Sequence, residues 1–255
     1  MKNKKIIIGI VAMLITGWAQ AQEEYKVAKS TGRLEINIGT VTVEGHAGNE
    51  IIFSSSDHKG DRDERSKGLR SVNSLGLEDN TGLGINVMDK GNVVEVRQLK
   101  KTSSPNIKIL VPKGVIVSYS YESQHGGTAN FKNLTNEIEV SAQYNSIELD
   151  NVTGPLTVKT IYGHVEAIFD TNIKDPISIA SIYGYVDVTL PQATKADLRL
   201  STSYGEILVA PEFDIKIEPT GGWREYSDKV SGKINGGGIN VDLSCNYGKV
   251  YLRKK

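Results

Sequence analysis

The chain has 255 residues with 30 basic and 30 acidic side chains, so its formal net charge is zero. That balance lacks the electrostatic footprint of a nucleic-acid binder, and the length suits one all-β domain or two small ones. The single cysteine excludes an internal disulfide, so burial and backbone pairing must hold the fold even in an oxidising compartment. Abundant glycine (26) beside scarce phenylalanine (4) points to many short strands joined by tight turns.

The chain opens with Lys2, Lys4 and Lys5, then an apolar core from Ile6 to Ile15, then the small-x-small sequence Ala19-Gln20-Ala21. This predicts a secretory signal peptide over 1–21. The apolar core is shorter than the roughly 20 residues a membrane span needs, and no later stretch predicts a transmembrane segment. Cys245 lies far from the cleavage site, so no lipid anchor is expected. Without the signal, 27 basic and 30 acidic residues remain. The mature chain, 22–255, reads as one β-helix domain.

Leu34, Ile36 and Ile38 alternate before Gly39, and Val41 and Val43 follow it. Residues 57–67 form a dense charged stretch, expected to be a solvated loop. Val93 to Val96 and Ile107 to Pro112 predict short strands, and Val115, Val117, Tyr119 and Tyr121 predict a longer one.

A repeat then emerges. Tyr144, Tyr162, Tyr183, Tyr204 and Tyr247 sit at spacings of 18, 21, 21 and 43 residues. Such a period is the length of one supersecondary unit. Six residues before each tyrosine stand Ile138, Leu156, Ile177, Leu198 and Val241. Four before stand Val140, Val158, Ile179, Leu200 and Leu243. Two before stand Ala142, Thr160, Ser181, Thr202 and Cys245. Strand side chains repeat with period two, so these positions share one face, and the tyrosine is expected to continue it inward.

Three and five residues after the tyrosine, the apolar positions resume out of phase, at Ile147 and Leu149, Val165 and Ala167, Val186 and Val188. A corner would keep them inward. Gly163, Gly184, Gly205 and Gly248 occupy that corner, with Asn145 in the first repeat. Glycine and asparagine accept positive φ, which is the expected reason for their placement. Residues 211–238 fill the missing period with Gly221-Gly222-Trp223 and Gly236-Gly237-Gly238, predicting an irregular rung or outcropping loop. Arg253, Lys254 and Lys255 are expected to guard a terminal sheet edge with charge.

The fold class predicted is all-β, a single-domain parallel β-helix with rungs of about 20 residues. Parallel stacking explains why each column keeps its own character. The alternative is a β-sandwich. A transmembrane barrel fits poorly, because outward positions hold Glu148, Glu166, Asp187, Lys159 and Lys249 rather than an apolar band.

Ile109-Leu110-Val111-Pro112-Lys113-Gly114, Leu190-Pro191 and Thr202-Ser203-Tyr204-Gly205-Glu206-Ile207 carry a likeness. On these motifs and the Tyr-Gly corners, roughly residues 30 to 255 resemble the bacterial adhesin-type proteins of unknown function built from β-strand repeats. The resemblance implies an exported β-helix, often at the cell envelope, and transfers no catalytic residue.

No catalytic cluster stands out. Cys245 falls in the small inward column and reads as a buried structural thiol. His46, His58, His125 and His164 lack metal-ligand spacing, and Asp57, Asp61, Asp63 and Glu64 lack the EF-hand order, so neither metal nor cofactor is expected. Glu148, Glu166 and Asp187 are equivalent in three repeats and stack outward. They read as a solvated face, or as a strip binding calcium or polysaccharide. Trp223, Arg224 and Tyr226 form the other candidate locus for a partner or glycan.

The function expected is a non-catalytic structural or interaction protein, presenting a surface to an envelope protein or polysaccharide. One alternative is a polysaccharide-active lyase or hydrolase, which would need clustered carboxylates in a groove. Another is an envelope-signalling accessory protein.

Overall fold

A computed structural model describes residues 24–55, 65, 68–174, 176–213, 215–219 and 228–255. The signal segment, most of the charged stretch 57–67, and Trp223, Arg224 and Tyr226 lie outside these residues. Among the described residues every strand or helix of regular length is a strand.

Strand β1 (Glu24–Val27) leads into β2 (Thr31–Asn37) and β3 (Val41–His46), which meet at the Gly39 corner. β4 (Ile51–Ser55) follows, then a hairpin of β5 (Ile85–Lys90) and β6 (Val93–Gln98), then β7 (Ile107–Pro112). From β8 (Gly114–Tyr121) and β9 (Thr128–Lys132) onward the chain repeats one unit, a strand, a corner and a second strand. These units are β10 (Ile138–Ala142) with β11 (Ser146–Val152), β12 (Leu156–Thr160) with β13 (Val165–Phe169), β14 (Ile177–Ser181) with β15 (Val186–Leu190), and β16 (Ala196–Thr202) with β17 (Ile207–Val209). β18 (Ile215–Pro219) and β19 (Asp228–Ile234) interrupt, and β20 (Ile239–Cys245) with β21 (Val250–Lys254) close the chain.

The strands form two sheets. One runs β1-β4-β7-β3-β9-β11-β13-β15-β21-β17, the other β18-β19-β16-β20-β14-β12-β10-β8-β2-β6-β5. Repeat pairs with repeat in parallel, in register except for one irregularity between Asp150 and Val152. Leu156 lies opposite Ile138 and Ile177, and Val165 opposite Ile147 and Val186. The columns of matching side chains read from the sequence therefore exist. The inward residues of both sheets form one apolar core, with Val158, Val165, Phe169, Val186 and Leu243 fully buried. Four or five inward aliphatic groups per repeat gain on the order of 6–15 kcal/mol before conformational entropy is subtracted.

The stacking order differs from the sequence order. The last unit, β20–β21, sits between β14–β15 and β16–β17, so the Tyr183 repeat borders the Tyr247 repeat and not that of Tyr204. A matching insertion occurs at the other end, where β2 lies between β6 and β8, and β3 between β7 and β9. Antiparallel strands flank both insertions. β5 pairs antiparallel with β6, and β16 is followed outward by β19 and β18. The irregular period is thus an antiparallel extension of one sheet, which reverses the chain so that it re-enters parallel.

The C-terminus consequently does not form a charged sheet edge. β21 is paired on both sides, by β15 and β17, and Arg253 bonds Asp187 at 2.7 Å.

The corner corrects two further expectations. Gly163, Gly184, Gly205 and Gly248 do not adopt positive φ. Glycine is needed because successive corners nearly touch. A Cβ on Gly184 would stand 2.1 Å from the Gly163 carbonyl oxygen, and one on Gly163 would stand 1.8 Å from that of Asn145. Those on Gly248 and Gly205 would meet the carbonyls of Gly184 and Gly248 at 1.8 and 1.7 Å. Asn145 is tolerated because the preceding corner, Gly126-Gly127, carries no side chain to meet it. Its side chain reaches back over an all-glycine neighbour, and its Nδ2 donates to the Gly39 carbonyl at 2.6 Å and the Gly127 carbonyl at 2.9 Å.

The small column two residues before the tyrosine seals the corner's interior. Ser181 Oγ donates to the Gly163 carbonyl at 2.9 Å and accepts the Gly184 N–H at 3.1 Å. Thr160 does the same toward Asn145 and Gly163, and Thr202 donates to Gly248. Cys245 takes the hydroxyl's place, its thiol donating to the Gly184 carbonyl at 3.2 Å. The corner tyrosines are 44–66% exposed and point outward, contrary to the inward face expected for them.

Candidate functional site

The outward tyrosines form a continuous row. Four of the five backbone N–H groups donate to a neighbouring repeat's carbonyl: Tyr162 to Gln143 at 2.7 Å, Tyr183 to Ile161, Tyr247 to Ile182 and Tyr204 to Asn246, each at 2.8 Å. This ladder fixes the rings one strand spacing apart. Centroids lie 5.0 Å apart for Tyr144 and Tyr162, 5.2 Å for Tyr162 and Tyr183, 4.9 Å for Tyr183 and Tyr247, and 5.1 Å for Tyr247 and Tyr204. The rings tilt by only 8–14° relative to one another. They cover one another's faces, leaving edges and hydroxyls to solvent. Each ring pair contributes about 0.5–1.5 kcal/mol beyond area burial. Even so, exposure stays between 44% for Tyr144 and 66% for Tyr204, an uncommon display for five large aromatics.

Beside this row lies the outer face of the sheet containing β11, β13, β15 and β21. Two residues past the tyrosines, Ser146 Oγ and His164 Nδ1 are 3.0 Å apart, and His164 stacks on Tyr185 at 4.6 Å and 6°. Lys249 and Glu206 continue that column with an ion pair of 2.9 Å. The next column holds Glu148, Glu166 and Asp187, register partners as the repeat predicted, followed by Tyr251.

Different neighbours relieve the repulsion along this acidic column. The Tyr185 hydroxyl donates to Glu166, and that bond pushes the phenol's pKa up to about 12, burial adding to it. Arg253 bonds both carboxylate oxygens of Asp187, at 2.7 and 2.9 Å, while its guanidinium lies over the Tyr251 ring at 5.2 Å. Asp187 in turn raises the pKa of Arg253. Tyr185 and Tyr251 meet edge to face at 6.2 Å. The result is a flat, mixed aromatic and acidic surface bordered by the tyrosine row.

The Ser146–His164 pair has the elements of a nucleophile and base, but among the described residues no carboxylate bonds the imidazole's other nitrogen. A groove on the opposite sheet is lined by Ser118, Glu139, Ser141, Thr157 and Lys159. There Glu139 is held by both terminal nitrogens of Arg33. Cys245 is fully buried, and desolvation raises its pKa. No His, Cys, Asp or Glu grouping among the described residues could hold a metal.

Sequence reasoning placed Glu148, Glu166 and Asp187 together and aligned the five tyrosines, but it turned the tyrosines inward and missed Tyr185, Tyr251 and Arg253. The signal was available. Tyr185 and Tyr251 occupy outward positions of the same template.

The resemblance to the adhesin-type family of unknown function holds. The family described as Toastrack DUF4097 matches residues 129–250, the span of the regular repeats. A solved structure described as a putative cell adhesion protein from Clostridium sporogenes is 15% identical, with a TM-score of 0.46. That likeness covers 92% of this chain and 100% of the other. No curated protein matches. No helix among the described residues is long and apolar enough to cross a membrane.

Proposed function

We propose that the protein is an exported, non-catalytic β-helix of a single domain, which presents its tyrosine row and adjoining acidic face to a polysaccharide or protein of the cell envelope. The observation that carries this reading is the row itself. Stacking accounts for the rings attracting one another, yet half of each remains in water, on a rigid scaffold whose backbone ladder holds the hydroxyls at strand spacing. A comb of phenolic donors beside carboxylates suits an extended, hydroxyl-rich partner. Glu148, Glu166 and Asp187 form the polar border of that surface. The basic start, apolar core and Ala19-Gln20-Ala21 support export.

The test immobilises a panel of neutral and acidic polysaccharides and envelope extracts, and compares the mature chain with a Tyr162→Ala, Tyr183→Ala double variant. Binding that drops at least tenfold in the variant, with an unchanged circular dichroism spectrum, supports the reading. Undiminished binding by the variant contradicts the assigned surface. Release of reducing or unsaturated sugar ends contradicts the non-catalytic assignment.

A further inference from the structure

We propose that neighbouring tyrosines of the row are sites of oxidative carbon–carbon coupling, giving dityrosine links that join repeats covalently in their spatial order. Four observations lead here. Each ring's nearest aromatic partner is another phenol, 4.9–5.2 Å away and tilted by 8–14°. The rings are 44–66% exposed, so a diffusible oxidant and solvent bases reach them. The chain's single thiol, Cys245, is fully buried and bonded to a backbone carbonyl, so it offers no competing reductant at the surface. The backbone bonds hold both members of each pair in register, so a radical on one ring finds its partner without diffusion.

The step balances as follows. Each of two phenols loses one electron and one proton, giving two phenoxyl radicals. Their ortho carbons join, and the two ortho hydrogens shift to the oxygens, restoring both phenols. The pair has lost two electrons and two protons. Hydrogen peroxide turned over by a haem peroxidase takes these up and leaves as two waters. Bond formation requires the exposed rings to turn about Cβ–Cγ while the strands keep their pairing. Because β20–β21 lies between β14–β15 and β16–β17, the chemistry joins Tyr183 to Tyr247 and Tyr247 to Tyr204, and it skips the direct link between Tyr183 and Tyr204.

The test treats the dilute mature chain with a haem peroxidase and peroxide, isolates the monomer, and maps linked peptides by mass spectrometry. The expected result is dityrosine fluorescence in the monomer and a mass two hydrogens lower per link. The linked peptides pair Tyr144 with Tyr162, Tyr162 with Tyr183, Tyr183 with Tyr247, and Tyr204 with Tyr247. Tyr183→Phe keeps a stacking ring without a phenol and retains only the first and last of these. Tyr162→Phe retains only the last two, which guards against a folding defect in one variant. Dityrosine confined to dimers, a direct Tyr183–Tyr204 link, or an unchanged map in either variant overturns the proposal.

Discussion

Replacing Gly184 by alanine separates two reasons for a corner glycine. If conformational freedom were the reason, alanine would cost the price of a left-handed residue, about 1–2 kcal/mol. The structure assigns a different cost. The new Cβ would lie 2.1 Å from the Gly163 oxygen, 2.7 Å from its carbon and 2.9 Å from Ser181 Oγ. None of these can swing away cheaply, because the oxygen belongs to backbone and the hydroxyl holds two corner bonds. The neighbouring repeats must part by about 1 Å, stretching the Ser181–Gly163 bond of 2.9 Å and the Tyr183–Ile161 bond of 2.8 Å. Overpacking of this kind costs about 1–3 kcal/mol, and each weakened bond adds about 1 kcal/mol. Gly184→Ala should therefore destabilise by about 3–5 kcal/mol. Gly91→Ala is the control, since Gly91 has a φ of +74° but open space around its Cβ position. It should cost about 1–2 kcal/mol. Urea unfolding followed by circular dichroism reads both. Equal losses in the two variants, or a Gly184→Ala loss under about 1 kcal/mol, would refute the close-approach argument.

Other consequences follow from the same contacts. Cys245→Ser keeps a donor for the Gly184 carbonyl and should change stability by less than about 1 kcal/mol, whereas Cys245→Val orphans that carbonyl and should cost about 1–3 kcal/mol in the same assay. The native Cys245 thiol should resist an aqueous thiol reagent until denaturant is added, because burial favours its neutral form. Tyr185 is held neutral in the folded state up to about pH 12, against about 10 when unfolded. Its contribution is therefore complete below pH 10 and lost as pH rises toward 12, and Tyr185→Phe should flatten that part of an alkaline melting-temperature profile. Arg253→Ala should cost about 1 kcal/mol or less and lose its effect in high salt, since the Arg253 side chain is more than half exposed.

Much of the fold was legible because period-two alternation and a fixed offset from each tyrosine define the inward columns independently of what pairs with what. Ile138, Leu156, Ile177, Leu198 and Val241 share a column whichever order the repeats take. That same uniformity hid the order. β20 presents the apolar, apolar, small pattern to β14 that β16 would have presented, so the sequence carries no preference for succession. The 43-residue gap before Tyr247 signalled a detour, but the re-entry between two existing repeats depends on the antiparallel β18–β19 reversal. The tyrosines were misplaced by carrying strand alternation through a bend. The glycines were misread because positive φ and close approach call for the same residue, and Asn145 fits either until its neighbour is known to be glycine. Of the site, the acidic column followed from register, while Tyr185 and Arg253 required knowing which strands adjoin.

Cross-linking between engineered cysteines tests the repeat order most directly. Ser178 and Asp242 are register partners on the outward face of β14 and β20, while Arg199 pairs with Asp242 from the far side. Ser178 and Arg199 are then two strand spacings apart, about 9.6 Å, beyond the roughly 7 Å limit for a disulfide. In a Cys245→Ser background, Ser178→Cys with Asp242→Cys should oxidise readily to an intramolecular disulfide, and Ser178→Cys with Arg199→Cys should remain reduced. The reverse outcome would put the Tyr204 repeat next to that of Tyr183 and dissolve the tyrosine row as described.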